Sequence, residues 1–414
     1  ISRKVSPQET IGVPDISNYP HEETHAGSQN WQIVQDKMGY LCFANNSGLL
    51  IYNNKEWKLY LLPNKTVVRS LATTNDGKIY TGGQDAFGFF FPNKQGILIY
   101  HSLMNLIGSG DRAFGDVWNI ITHKGDVFFR TTRKIFRFSP ANGGTISKYE
   151  APNGSRWSFM GLSNNTLYAQ NGYEGFVFFD GKAWMPAGIE LLKNTLITAV
   201  QPFNGDSLLV FTLRNGLFLV NGGIASAFHV PENISKAQIY TALMVNDSIF
   251  ALGTVSGGVF FINKRGEATR HFSTENGMQN NNVLSLFIDD QQNLWSGLDE
   301  GIDRINYSSP IKVIPPVYKV KLPVYAVYVA NNTLFAGTSD GVYANKLTVP
   351  PIDDIGLSGG AFNQIANTEG QVWNLNVYKG RVLAGHHDGA LLIENGSSRL
   401  LSREGGGTWL FRFL

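Results

Sequence analysis

The chain has 414 residues, 34 Lys+Arg against 32 Asp+Glu, 45 Gly and 12% aromatics, with only 16% of residues charged. This aromatic mass and balanced charge exclude a disordered chain, and the lack of a basic excess removes the phosphate-neutralising contribution a nucleic-acid binder needs. The apolar runs are strand-length, well short of the ~18 residues of a spanning helix.

In chain order, one skeleton recurs: an apolar strand, a polar turn, a second apolar strand and a glycine turn. It appears at Ile33, Cys42 and Gly48, at Leu71, Tyr80 and Gly88, and through Ile120 and Phe128. It returns at Phe159, Tyr168 and Gly175, then through Val200 and Leu209 and through Ala242 and Phe250. The clearest copy is Leu286, Trp295 and Gly301, followed by Val327, Phe335 and Gly341 and by Leu375, Leu383 and Gly389. Two residues before each first anchor lies a slot, filled by Trp31, Arg69, Trp118, Trp157, Thr198, Tyr240, Leu284, Tyr325, Trp373 and Trp409 at an average interval of 42. That period, four short strands per unit and no helical periodicity predict an all-β chain built as a β-propeller. Cys42, the single cysteine, lies in the apolar run Leu41-Cys42-Phe43-Ala44 and reads as a small buried hydrophobe.

Nine repeats are complete and a tenth opens at Thr408-Trp409-Leu410-Phe411. Propellers usually have four to eight blades, and Ser308-Ser309-Pro310, Pro315-Pro316 and Pro323 form an extended, linker-like seam after the seventh repeat. Residues 1–310 are therefore read as one seven-bladed propeller, and 311–414 as two further blades and the first strand of a third. The alternative is one large ring of nine or ten blades, closed in part by the N-terminal strand near Ile11 to Tyr19.

Little in the sequence points to catalysis. None of the eight histidines stands in a metal-ligand spacing, and no P-loop, nucleophile elbow, dinucleotide fingerprint or calcium-loop pattern occurs. The adjacent carboxylates Asp289-Asp290, Asp353-Asp354 and Glu22-Glu23 would point to opposite faces of a strand, and Asp289 shares a turn position with Asp36, which suits hairpin capping. No catalytic residue, metal site or cofactor is expected. His386-His387, at a turn before Asp388-Gly389, is either a turn element or a ligand contact on one propeller face. The aromatic slot is the most informative constellation. Its rings either pack between blades or line the central channel, where a sugar's C–H face could stack on them. Arg69 in that slot and Arg156 beside Trp157 could pair bidentately with a uronate or a sulfate. The candidate ligand-binding residues are thus Trp31, Arg69, Trp118, Arg156, Trp157, Tyr240, Tyr325, Trp373, His386 and His387.

The blocks Ala26-Gly27-Ser28-Gln29-Asn30-Trp31, Phe43-Ala44-Asn45, Leu62-Pro63-Asn64 and Val68-Arg69-Ser70-Leu71, with Glu275-Asn276-Gly277-Met278 and Asn293-Leu294-Trp295, resemble the two-component regulator propeller repeats of Bacteroidetes. Such repeats form the periplasmic sensor region of hybrid two-component systems and of related regulators with a triple-tyrosine domain and a LuxR-type helix-turn-helix. The resemblance covers essentially the whole chain, and Gly385-His386-His387 leans toward the helix-turn-helix branch. It implies a periplasmic, non-catalytic sensor region that binds an oligosaccharide or other small ligand, often a product of polysaccharide breakdown. It further implies homodimerisation through the full-length protein, attachment to the inner membrane only through a segment C-terminal to this region, and no nucleic-acid contact by the region itself. No kinase, triple-tyrosine or DNA-binding module is read in these residues. The other readings of the chain are a propeller polysaccharide lyase or glycosidase and a protein-interaction scaffold.

Overall fold

Short strands and tight hairpins follow from the sequence's alternation of β-branched and aromatic runs with Asn, Asp and Gly. In a computed structural model that describes residues 14–309, 311, 313, 322–347, 362–402 and 406–412, these segments form nine four-stranded antiparallel sheets. The repeated polar turns work by one device: an Asn or Asp carboxyl or amide oxygen accepts backbone N–H groups two to four residues on. Asp36 caps Met38 and Tyr40, Asn93 caps Gln95 and Ile97, Asp180 caps Lys182 and Ala183, and Asp289 caps Gln291 and Asn293. Asp289 also accepts from the indole of Trp295 at 2.8 Å. The glycine turn is equally literal. Gly258 has φ +76°, and a Cβ there would lie 2.1 Å from the Phe272 carbonyl oxygen, so no other residue fits.

The described residues divide into two compact units, one being Ile16–Ser308. Within it, the first strands of seven sheets are Asn30–Gln35, Val68–Thr73, Asn119–His123, Trp157–Ser163, Ile197–Pro202, Ile239–Asn246 and Val283–Ile288. Each packs beside the next, and Val283–Ile288 packs beside Asn30–Gln35, so the seven sheets close into a ring of blades. Buried apolar clusters sit between neighbouring blades. The closing cluster joins Trp295 and Ile302 of the seventh to Ile33, Phe43 and Leu50 of the first. The seventh blade has only three strands from its own stretch of chain. Its fourth is Ile16–Tyr19, paired antiparallel with Ile302–Ile305 in the register Ile16↔Ile305 to Tyr19↔Ile302. The remainder of the expected N-terminal closing strand, Ile11 to Val13, lies outside the described residues, as do Pro310, Pro315, Pro316, Asp353 and Asp354.

The buried face of the closing strand is held by hydrogen bonds to one carboxyl group. Asp303, fully buried, accepts from the Asn18 amide at 2.7 Å, the Gln279 amide at 2.9 Å and the Gln279 backbone N–H at 3.1 Å. Burial nevertheless pushes its carboxyl up to about 6, since these donors offset only part of the desolvation.

The second unit contributes two sheets, beginning with Val324–Ala330 and Val372–Tyr378. They share a core of Val342, Ile365, Val372, Leu391 and neighbours.

Candidate functional site

The slot residues owe their position to a backbone irregularity. In the innermost strand of the first blade Asn30 pairs with Asn45 and Gln32 with Ala44, leaving Trp31 as the extra residue of a β-bulge. The same slip leaves out Arg69, Thr198, Tyr240 and Leu284 in other blades of the ring. It also leaves out Tyr325 and Trp373 in the second unit. A bulged residue is re-aimed relative to its strand. In the ring, this turns these five side chains toward a cavity of about 560 Å³ bounded by the innermost strands.

The fourth blade departs from the sequence reading by one residue. There Trp157 pairs with Asn171 and Phe159 with Gln170, so Ser158 is the bulged residue and Trp157 occupies the position of Asn30. Trp157 is consequently 2% exposed and packed with Phe128, Ile135 and Met160 between the third and fourth blades, its ring only edging the cavity. A period-two pattern cannot reveal this, because a bulge adds a residue without changing which residues are apolar.

Six of the ten expected site residues, Trp31, Arg69, Trp118, Arg156, Trp157 and Tyr240, line the cavity. Three of them form a cluster on one wall. The Arg69 guanidinium lies 4.1 Å from the centre of the Trp31 ring and 5.2 Å from that of Trp118. The two indoles meet edge to face at 6.1 Å. Trp31 donates its indole N–H to Asn46 at 2.8 Å. Arg69 donates its Nε–H to Asp116 at 3.3 Å, while its Nη1 is buried without a partner. Its charge is thus already matched, and its face is already stacked. Burial raises the Tyr240 phenol, with Arg69 and Arg130 pulling it back down. Arg156 is exposed at the rim.

The other four residues lie in the second unit. Tyr325 is 47% exposed. Trp373 stacks on Trp409 at 3.9 Å with planes 6° apart. His386 is buried and uses both ring nitrogens locally: Nε2 lies 2.9 Å from the Glu369 carbonyl oxygen, and Nδ1 accepts the Asp388 N–H at 3.1 Å. His386, His387 and Asp388 lie within ligand distance of one another, but those two bonds leave His386 no lone pair for a metal.

Sequence reasoning missed Arg130. It is 6% exposed, lines the cavity, and donates Nε–H to Asn119 at 2.6 Å and Nη1–H to the Trp157 carbonyl at 2.9 Å. Burial pulls its guanidinium down to about 9, only Tyr240 acting in the other direction. At the end of the apolar run Val127-Phe128-Phe129-Arg130 it looks like a strand boundary. The available signal was comparative. The residue facing the first position after the bulge is Ala44, Gly82, Gly253, Gly297, Gly337 or Gly385 in six other sheets.

No protein-family model and no curated protein sequence matches the chain. Solved structures do. The extracellular domain of a hybrid two-component system from B. thetaiotaomicron superposes with TM-score 0.57 at 12% identity over 96% of this chain and 55% of that one. A catalytically inactive histidine-to-alanine virginiamycin B lyase from Staphylococcus aureus, solved with quinupristin, gives 0.56 at 15% over 70% and 98%. The WD40 propeller domain of Doa1 gives 0.53 at 11% over 71% and 96%. The chain shares their propeller fold. It spans about half the length of the two-component-system domain, and among its described residues no helix is long and apolar enough to cross a membrane.

Proposed function

We propose that this chain is the extracytoplasmic sensing region of a transmembrane signalling or transcription regulator, and that it binds a glycan breakdown product in the channel of the seven-bladed ring. The observation that carries this reading is convergence. Trp31, Arg69, Ser158, Thr198, Tyr240 and Leu284, each at its blade's bulge, and Trp118 at the same slot all line one cavity. Indole and phenol faces suit the C–H faces of a pyranose, and the hydroxyls among them, with the Gln32 and Asn119 amides of the same lining, can read its polar edge. The structural likeness to an extracellular domain of a two-component system supports the same reading.

The likeness to virginiamycin B lyase favours a second reading, catalysis in the channel. In that lyase replacing one histidine abolishes activity. The lining of this cavity holds no histidine, Asp or Glu, so it offers no general acid or base of the usual kind.

Thermal denaturation against a panel of oligosaccharides separates the readings. A sensor is stabilised by one class of saccharide, which is recovered intact, and the shift is lost in Trp118→Ala. Turnover of a saccharide by the wild type would support the enzyme. No shift with any saccharide would overturn the channel as the ligand site.

A further inference from the structure

Arg130 combines burial with a charge that no described residue matches by an ion pair. Among the described residues it has no ion pair, and the cavity it lines carries two further guanidiniums, Arg69 and Arg156, and no carboxylate. Asp116 pairs with Arg69. No ion pair is formed by Arg156 among the described residues. A buried, unpaired cation is costly, so its retention asks for a reason.

The fold does not supply one. In blades where the equivalent residue is glycine, the next blade closes directly over it. A Cβ added at Gly82 would lie 2.5 Å from Val117, and one added at Gly253 would lie 2.6 Å from Val283. The fourth and fifth blades carry Gln170 and Phe211 there, both buried and uncharged, so packing at this position needs no charge. In the third blade the guanidinium instead threads between blades to the Trp157 carbonyl, and two bonds fix its plane. A guanidinium has five N–H donors, so Nη2 and one Nη1 hydrogen remain for a ligand. Fixed orientation and burial are what make such a donor pair discriminating.

We propose that the channel ligand is an anion, a carboxylate- or sulfate-bearing saccharide, and that Arg130 is the residue that reads its charge. Arg69 serves instead as a stacked wall, its charge held by Asp116, and Arg156 at the rim attracts the anion before it docks. This inference rests on the channel being the ligand site, and it moves charge recognition from Arg69 and Arg156, where the sequence suggests it, to a residue on the second strand of the third blade.

The test uses paired ligands differing only in charge: digalacturonate against its methyl ester, and galactose 6-sulfate against galactose, titrated calorimetrically, with inorganic sulfate as the free anion. Wild type should prefer one charged member over its neutral partner by ~10-fold or more, the scale of a charge-assisted bond to a buried group. The pair showing that preference tells carboxylate from sulfate. Arg130→Gln should erase the preference while leaving the neutral affinity within about threefold, Arg130→Lys should keep part of it, and Arg69→Gln should weaken both members of a pair equally. If Arg130→Gln does not fold, inorganic sulfate decides on the wild type: at fixed ionic strength it should raise the melting temperature and compete with the charged ligand. Neutral partners bound as tightly as charged ones, or a preference that persists in Arg130→Gln or vanishes in Arg69→Gln, would overturn the assignment of charge reading and leave the channel reading standing. Failure of every ligand to bind would overturn both.

Discussion

The bulge position occurs in both compact units, and its surroundings differ. In the ring, the side chains it re-aims gather around one cavity, where Trp31 and Trp118 share the Arg69 guanidinium between them. In the second unit Tyr325 is nearly half exposed, and Trp373 is covered by Trp409. The repeat therefore sets the direction in which a side chain leaves its strand. A site arises only where such directions are brought to one point by closure of the ring.

The sharpest way to break this comparison is inside the ring, one residue from the slot. Trp157→Ala removes a side chain buried between the third and fourth blades and should lower stability by about 3–5 kcal/mol. Trp118→Ala, a slot residue facing the cavity, should cost only about 1 kcal/mol, for its edge-to-face and cation–π contacts. Denaturant unfolding of the two variants measures both, and equal losses would remove the distinction between slot and core.

Closure itself is tested at Asp303. Its folded carboxyl sits near 6, above the ordinary 3.8, so its contribution to stability is full below pH ~4 and is lost as pH rises through 6. His123 and His386, held below their usual range chiefly by burial, act the other way. The readout is therefore the difference between wild type and Asp303→Asn. Relative to that variant, wild type should lose up to about 3 kcal/mol between pH 4 and pH 7.5. A flat difference would mean that the buried carboxylate does not tax the ring. In the second unit the effect should be smallest: Trp373→Ala forfeits one ring stack, about 0.5 kcal/mol. It should appear as faster hydrogen exchange confined to Val372–Tyr378 and Arg381–His386.

Periodicity made the all-β propeller legible because every blade must solve the same packing problem. The strand-turn-strand-glycine skeleton at Leu286, Trp295 and Gly301 can be followed along the chain without a structure. The slot was legible for the same reason, and Trp31, Arg69, Trp118 and Tyr240 do meet across blades. Trp157 shows the limit. An indole and a serine in adjacent positions can exchange roles through a bulge, and the apolar pattern is silent on which one is expelled. Arg130 shows another limit. Its burial depends on the neighbouring blade, and only alignment with Ala44, Gly82, Gln170, Phe211, Gly253 and Gly297, once register is known, marks it as the one charged residue at a position that is uncharged in the other six blades of the ring.

The pairing of Ile16–Tyr19 with Ile302–Ile305 also has a consequence for biogenesis. Every other strand in the ring meets its hairpin partner within a few residues of chain, and such contacts form fast. The closing strand is made first and must wait for a partner nearly the whole ring later in synthesis, at ~5–20 residues per second. During that interval the first blade's flank and an unpaired strand are both open to other chains. The last blade to emerge thus ends the ring's most vulnerable period by receiving the segment that emerged first.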